Sequence, residues 1–260
     1  MSRTKHIRPI GLNASSLDAR SRVLVVGGSE EFVGAVYLAA IAALRTGAES
    51  VIVMAPEKVA WALNALSPDL MTRKLPGAYL SRAHERAIQK QMQTADVLVL
   101  GNGAGTRTKT AALMRALMRS PLPKVVDADA LKILRGNSVS NAILTPNEGE
   151  WKLLEKNNSI KKLLKTNVIV KKGPQTKILS GSRAASLRPN KGLAKAGTGD
   201  VLAGLCAGFL ASGFSPFAAA KKACVTGTVV ANILAKKRRG YHFLASDLVE
   251  ELRRSRRMRA

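Results

Sequence analysis

Acidic side chains are scarce in this sequence: 17 Asp and Glu stand against 42 Lys and Arg in 260 residues, a formal net charge of +25. So unbalanced a chain draws anions from a distance and invites nonspecific contact with nucleic acid, but such charge describes the surface rather than a reaction. Aromatic residues make up only 4%, which leaves little for the stacking platforms that RNA-binding modules use. Cysteine is almost missing too. Cys206 and Cys224 lie in apolar helical stretches with no second Cys or clustered His beside them. That excludes a disulfide framework and any metal-ligand spacing, and it predicts core thiols in a reducing compartment. The three histidines, His6, His84 and His242, are scattered; they suggest no triad and are expected to be exposed. The first residues run into Pro9 and Gly11 without an apolar core, so no secretory signal is expected and the cytoplasm is the expected compartment. No membrane span is expected either. The longest uncharged run, Val201 to Ala220, is broken by Gly213-Phe214-Ser215-Pro216 and reads as two buried helices.

What is present is apolar side chain in regular blocks, 46% of the sequence. Val23-Leu24-Val25-Val26 is a continuous apolar run ending in Gly27-Gly28-Ser29, followed by a helical pattern from Val33 to Thr46 and a second run, Val51 to Met54. Strand, glycine turn, helix and strand make a βαβ unit, with Pro56 opening the next helix through about Leu66. The alternation returns at Val97-Leu98-Val99-Leu100, a helix from Thr108 to Met118, Val125-Val126, a short helix from Asp129, and Ala142-Ile143-Leu144. Val168-Ile169-Val170, Thr176 to Leu179 and Ala184 to Leu187 are short strands separated by turn residues, with Gly181-Ser182 as a hairpin turn, so antiparallel strands are expected there. Long helices follow at about Val201 to Ser212 and Pro216 to Lys236, with Gly204 and Gly208 on one face of the first for close packing. The reading is a single α/β domain over 1–260, a three-layer αβα sandwich with a mostly parallel sheet. A short extension (about 1–20) precedes it, and a basic helix (about 245–260), capped by Ser246, ends it.

Ligands of open α/β sheets bind beyond the carboxyl ends of the strands, and that is where the chemistry-bearing residues fall. In Lys195-Ala196-Gly197-Thr198-Gly199-Asp200, glycines lead into one carboxylate at the start of an uncharged helix. Backbone N–H groups and the helix dipole favour an anion there. A carboxylate at the mouth of an anion site is well placed to take a proton from a hydroxyl attacking phosphorus, so Asp200 is the candidate general base; the alternative is a helix N-cap. Gly101-Asn102-Gly103-Ala104-Gly105 suggests a phosphate turn without completing a dinucleotide fingerprint, and no Walker A lysine pattern occurs. Asn147 and Glu150, at i and i+3 of a starting helix, suit either Mg²⁺ waters or a capping box. Lys172-Gly173-Pro174-Gln175-Thr176 fits nucleotide phosphates or a solvated hairpin, and Asp127-Ala128-Asp129 a cation or a helix cap.

Taken together these stretches resemble the nucleotide-dependent NAD(P)H-hydrate dehydratases of the ribokinase-like superfamily. The resemblance runs through Gly27-Gly28-Ser29 with Phe32, Gly34 and Ala35, the Gly101 to Gly105 turn, Asp127 to Leu131, Thr145-Pro146 with Gly149-Glu150, Lys172-Gly173 with Thr176, and Gly197 to Gly204. It implies return of 6-hydroxylated NADH or NADPH to the normal cofactor, driven by ADP or ATP with Mg²⁺. It further implies that Ala35, Gly103, Gly105, Asn147 and Asp200 meet the hydrated dinucleotide. Lys172, Gly173, Thr176, Gly197, Thr198 and Gly199 would meet the adenine nucleotide, and Glu150 and Asn147 the metal. It carries over a homo-oligomer. Two departures stand out, Asn147 where the family usually has histidine and Val36 where it often has proline. Asn with Glu150 is the spacing of the related sugar and vitamin kinases, so a small-molecule kinase is the alternative reading, and a nucleic-acid-binding protein on this scaffold a third.

Overall fold

The computed structural model describes residues 21–181 and 183–257. The N-terminal extension, His6 and Ser182 lie outside the described residues. The chain builds one nine-stranded sheet. Its elements run β1 (Arg22–Val26), α1 (Val33–Thr46), β2 (Ser50–Pro56), α2 (Glu57–Leu66), β3 (Met71–Leu75), α3 (Glu85–Met92), β4 (Val97–Leu100), α4 (Thr108–Met118), β5 (Lys124–Val126), α5 (Asp129–Ile133) and β6 (Ala142–Leu144). They continue with α6 (Glu148–Asn157), α7 (Ile160–Thr166), β7 (Asn167–Lys171), β8 (Thr176–Ser180), β9 (Arg183–Leu187), α8 (Thr198–Ala211), α9 (Pro216–Lys237) and α10 (Ala245–Arg257).

The strand order is β3-β2-β1-β4-β5-β6-β7-β8-β9. The first seven strands run parallel, while β8 pairs antiparallel with β7 and β9 antiparallel with β8. Buried parallel strands need apolar residues on both faces, and β1 shows why the runs are continuous. Val23 and Val25 pack into the core under α1, α2, α8, α9 and α10, whereas Leu24 and Val26 join the opposite core with residues of α3 through α7. The result is the expected αβα sandwich. Two outer strands, β3 and β9, leave Arg73, Lys74 and Arg183 exposed.

On the first face, α8 lies directly on α1. A Cβ on Gly204 would sit 2.2 Å from the Ala39 carbonyl oxygen, and one on Gly208 would sit 2.1 Å from Thr46 Oγ1. The two glycines are therefore contact points between helices, as expected. Helix α9 is long and apolar enough to cross a membrane by length and composition, yet Ala219, Ala220, Ala223, Cys224, Val230, Ala231 and Leu234 pack into this core. Cys206 and Cys224 are buried and unpaired; burial raises both thiols, Cys224 to about 12.

Three expectations are corrected. His84 is buried, in a 3-10 turn Arg82–His84 rather than on an exposed helix face. Its Nδ1 accepts from the Ser81 N–H and its Nε2 meets the Pro76 carbonyl at 2.9 Å, so the ring is a local staple. Helix α8 starts at Thr198, three residues before the apolar run suggests. Helix α10 starts at Ala245, which puts Ser246 inside its first turn; Asp247 Oδ2 instead accepts the Leu244 N–H at 2.7 Å.

Candidate active site

Strand order reverses between β1 and β4, and the loops beyond them turn to opposite faces of the sheet. Such a point opens a crevice at the carboxyl ends of the strands. The loops after β4, β5, β6 and β7 deliver Asn102, Asp127, Thr145 and Lys172 to it, and the start of α8 delivers Asp200 from the helical layer.

The start of α8 depends on Gly197, whose φ of +81° is a left-handed conformation that side chains with a Cβ rarely adopt. The chain can then enter the helix at Thr198, with Gly199 and Asp200 in the first turn. At Gly199 the requirement is space: a Cβ would lie 3.1 Å from Lys172 Nζ. Asp200 is not the N-cap. Its Oδ1 accepts from Asn102 Nδ2 at 2.7 Å, across 98 residues of sequence, and its other oxygen has no partner among the described residues. The Thr198 hydroxyl is committed locally, donating to the carbonyls of Leu193 (2.6 Å) and Lys195 (2.7 Å), and its N–H also meets Lys195. Among the described residues, the N–H groups of Gly197, Gly199 and Asp200 have no acceptor and are open donors at the cradle.

Asp127, 1% exposed, is the hub of the charges. Its Oδ1 accepts from Thr145 Oγ1 at 2.7 Å and from Lys172 Nζ at 3.1 Å, and its Oδ2 from Asn102 Nδ2 at 3.1 Å. Asp129 Oδ2 accepts the Gly105 N–H at 2.8 Å, tying the glycine turn to the same corner. Between the two aspartates, Ala128 has φ +50° and ψ −120°. A non-glycine residue held there is strained, and strain of this kind persists where surrounding contacts over-determine it. Neither reading of the pair was complete: these carboxylates hold protein groups together.

Electrostatics follow from burial. Desolvation raises Asp200 from 3.8 to about 7, the Asn102 hydrogen bond opposes the rise, nearby Asp127 adds to it and Lys172 opposes it. Burial acts against the charge of Lys172, but Asp127 and Glu150 outweigh it and the ammonium is held more firmly than usual. Burial also raises Glu150, with Lys172 opposing.

Asn147 and Glu150 form a reciprocal capping box on α6. The Glu150 N–H donates to Asn147 Oδ1 and the Asn147 N–H to Glu150 Oε2, both at 2.9 Å. This bears on the fit to Mg²⁺. The side-chain oxygen of Asn147 already accepts one hydrogen bond in the cap, and the residue lines the cavity beside Glu150. Glu150 keeps one carboxylate oxygen uncommitted among the described residues, which suits a metal that retains most of its waters. Among the described residues no group of three His, Cys, Asp or Glu is arranged to hold a metal.

A cavity of about 1210 Å³ opens over these groups. Asn147, Glu150, Lys172, Gly173 and Thr176 line it, as do Gly197, Thr198, Gly199 and Asp200, so the structure gathers nine of the expected residues. Leu193, Leu202, Leu205, Val230, Leu248 and Leu252 add an apolar wall. Ala35, Gly103 and Gly105 do not line it. Ala35 and Gly103 meet each other, since a Cβ on Gly103 would sit 3.2 Å from that of Ala35. The Lys195 ammonium closes the loop behind Gly197 by donating to the carbonyls of Tyr241 and Phe243. Sequence reading assigned no role to Asn102 or Thr145. The only local signal for Asn102 was its place between two glycines.

Known proteins share this sequence pattern and fold. The sequence pattern of the NAD(P)H-hydrate dehydratases matches residues 23–254. The chain is 38% identical over 251 residues to the bifunctional NAD(P)H-hydrate repair enzyme of Pyrobaculum aerophilum, covering 90% of this chain and 50% of that protein. It is equally identical over 254 residues to the enzyme of that name from Methanothermobacter thermautotrophicus, covering 88% and 48%. It thus spans about half the length of these curated relatives. Among solved structures, the ADP/ATP-dependent NAD(P)H-hydrate dehydratase of Bacillus subtilis, co-crystallised with ATP and Mg²⁺, superposes with a TM-score of 0.76 at 25% identity, covering 94% of this chain and 93% of that one. A Streptococcus mutans protein shares the fold with a TM-score of 0.80 at 23% identity, covering 99% and 95%. By sequence pattern, relatives and fold, the chain belongs to the NAD(P)H-hydrate dehydratase family.

Proposed function

We propose that this chain dehydrates the 6-hydroxy form of NADH or NADPH at the expense of ADP or ATP. The observation that carries the reading is Asp200: a carboxylate with one uncommitted oxygen, at a glycine-lined helix start, facing the cavity and raised to about 7. A base poised near neutral pH is matched to abstracting a proton from an alcohol. The substrate's C6 hydroxyl gives its proton to Asp200 as its oxygen bonds to the terminal phosphorus and the nucleotide leaves one phosphate shorter. The C6–O bond then breaks, phosphate departs with the electron pair, the ring nitrogen supplies its lone pair, and loss of a proton from C5 restores the dihydropyridine. The N–H groups of Gly199 and Asp200, the α8 dipole and Lys172 hold the anionic phosphates. Thr176 and Gly173 border the nucleotide, and the leucine wall accepts its base. When bound, Mg²⁺ supplies charge neutralisation on the phosphates beside Glu150.

The test is incubation with hydrated NADH, Mg²⁺ and either nucleotide, following the absorbance of restored NADH. Asp200→Asn is expected to lower turnover roughly a hundredfold to ten-thousandfold with little change in nucleotide affinity, the range for loss of a general base. Near-normal turnover in the folded variant would reduce Asp200 to a structural residue. Phosphorylation of an alcohol with no return of NADH would favour the kinase reading. The proposal extends to a cytoplasmic setting, which the unpaired buried cysteines suit. It also includes weak nucleic-acid contact through a basic surface apart from the cavity. Removing residues 254–260 should leave turnover unchanged, and any RNA binding should fall steeply with salt.

A further inference from the structure

Asn102 is fully buried in the turn after β4, and its amide nitrogen reaches two carboxylates at once, Asp200 Oδ1 at 2.7 Å and Asp127 Oδ2 at 3.1 Å. Two acceptors on one side fix the orientation of the amide, because only its NH₂ can donate to both. Its own Oδ1 is buried without a partner among the described residues, a cost that a residue chosen for packing alone would avoid.

The rest of the residue is clamped. The Gly28 N–H donates to the Asn102 main-chain oxygen at 2.9 Å, and a Cβ on Gly27 would come within 2.5 Å of that oxygen. Asp127 in turn is held by Thr145 and Lys172. A fixed donor therefore meets one oxygen of Asp200, with a rigid support behind it.

We infer that Asn102 is a positioning residue for the reaction at Asp200: by occupying Oδ1 it turns Oδ2 to the cavity as the single proton acceptor. This rests on the reading of Asp200 as the base. A carboxylate free to rotate presents either oxygen at a range of angles, and misplacement of about 1 Å costs on the order of a hundredfold in rate. The amide also favours the ionised form of Asp200, against the burial and the neighbouring Asp127 and Asp129 that disfavour it, with Lys172 acting in the same sense as the amide.

Asn102→Leu keeps the volume and removes the amide. Its kcat is expected to fall at least tenfold with KM for hydrated NADH and nucleotide affinity changed less than twofold, and the acid limb of kcat/KM should move to higher pH. A packing role would instead lower the melting temperature while leaving the kcat of the folded protein and the limb in place; that result would overturn the proposal. Asn102→Ser, smaller and able to donate one hydrogen bond, is judged by the same criterion and should fall between Leu and wild type, so a failure of the leucine variant to fold leaves the test intact. Asp200→Asn is measured alongside. A large loss there with none in the Asn102 variants sinks the positioning role alone, and no loss in Asp200→Asn sinks the base and the positioning role together.

Discussion

Replacing the half-buried Asp200 by Asn should make the protein more stable at alkaline pH while disabling it. The carboxyl is raised from 3.8 to about 7 on folding, chiefly by burial. Between those values the folded state holds a proton that the unfolded chain has released, so stability falls as pH rises through the window and the full cost persists above about 7. Roughly three pH units at about 1.36 kcal/mol each set an upper bound of about 4 kcal/mol. Solvent reaches part of the side chain, so a gain of about 2–3 kcal/mol at pH 8 is the realistic expectation for the neutral amide. Asn retains an oxygen to accept from Asn102 Nδ2, so the variant loses little besides the charge. Urea unfolding of both proteins at pH 4, 6 and 8 measures this directly: the curves should nearly coincide at pH 4 and separate progressively. A difference that is flat across pH, or a variant less stable at pH 8, would refute the burial argument.

Gly204→Ala forces a methyl to within 2.2 Å of the Ala39 carbonyl oxygen, and overpacking against backbone should cost about 1–3 kcal/mol, read as a lower melting temperature with nucleotide affinity retained. Lys124, fully buried on β5, donates to the Ser140 carbonyl at 2.6 Å and is lowered by burial from 10.5 to about 8. A folded-state lysine lowered in this way binds fewer protons than the unfolded chain between about 8 and 10.5, so wild-type stability should rise with pH across that window. Lys124→Met should therefore stabilise the protein by about 1–2 kcal/mol at pH 7, once the lost hydrogen bond is subtracted, and denaturant midpoints at pH 7 and 10 should show the gain disappearing. Asn147→His restores the residue usual in the family but breaks the capping box of α6. It should cost about 1 kcal/mol in thermal or denaturant unfolding while preserving or raising turnover of hydrated NADH.

Strands buried on both faces were legible because they must be apolar throughout: Val23 to Val26, Val51 to Met54 and Val97 to Leu100 announced themselves as β1, β2 and β4. Strand β3 was not, since Met71-Thr72-Arg73-Lys74-Leu75 pairs on one edge only and half of it faces solvent. Helix α7 was missed because only Leu163 of its seven residues is buried. The early start of α8 escaped because Gly199 reads as turn chemistry, whereas its smallness leaves room for Lys172. The site was legible wherever a residue's task is local, as in the capping box of Asn147 and Glu150, which was foreseen alongside a metal role. The bridge from Asn102 to Asp200 was not legible, because nothing near position 102 records a partner 98 residues away.

The outer strands give part of the surplus positive charge a use unconnected with any ligand. A sheet that does not close on itself ends in rows of unsatisfied N–H and C=O groups, and in a crowded cell each row is a template on which another copy can add a strand. On β3 that row is guarded by exposed Arg73 and Lys74, on β9 by exposed Arg183. Bringing two such edges together would press like charges against each other, so growth by strand addition is discouraged at both ends of the sheet. The exposed apolar surface of the helical layers, such as Val225 and Val229 of α9, carries no such guard of charge from the sheet edges.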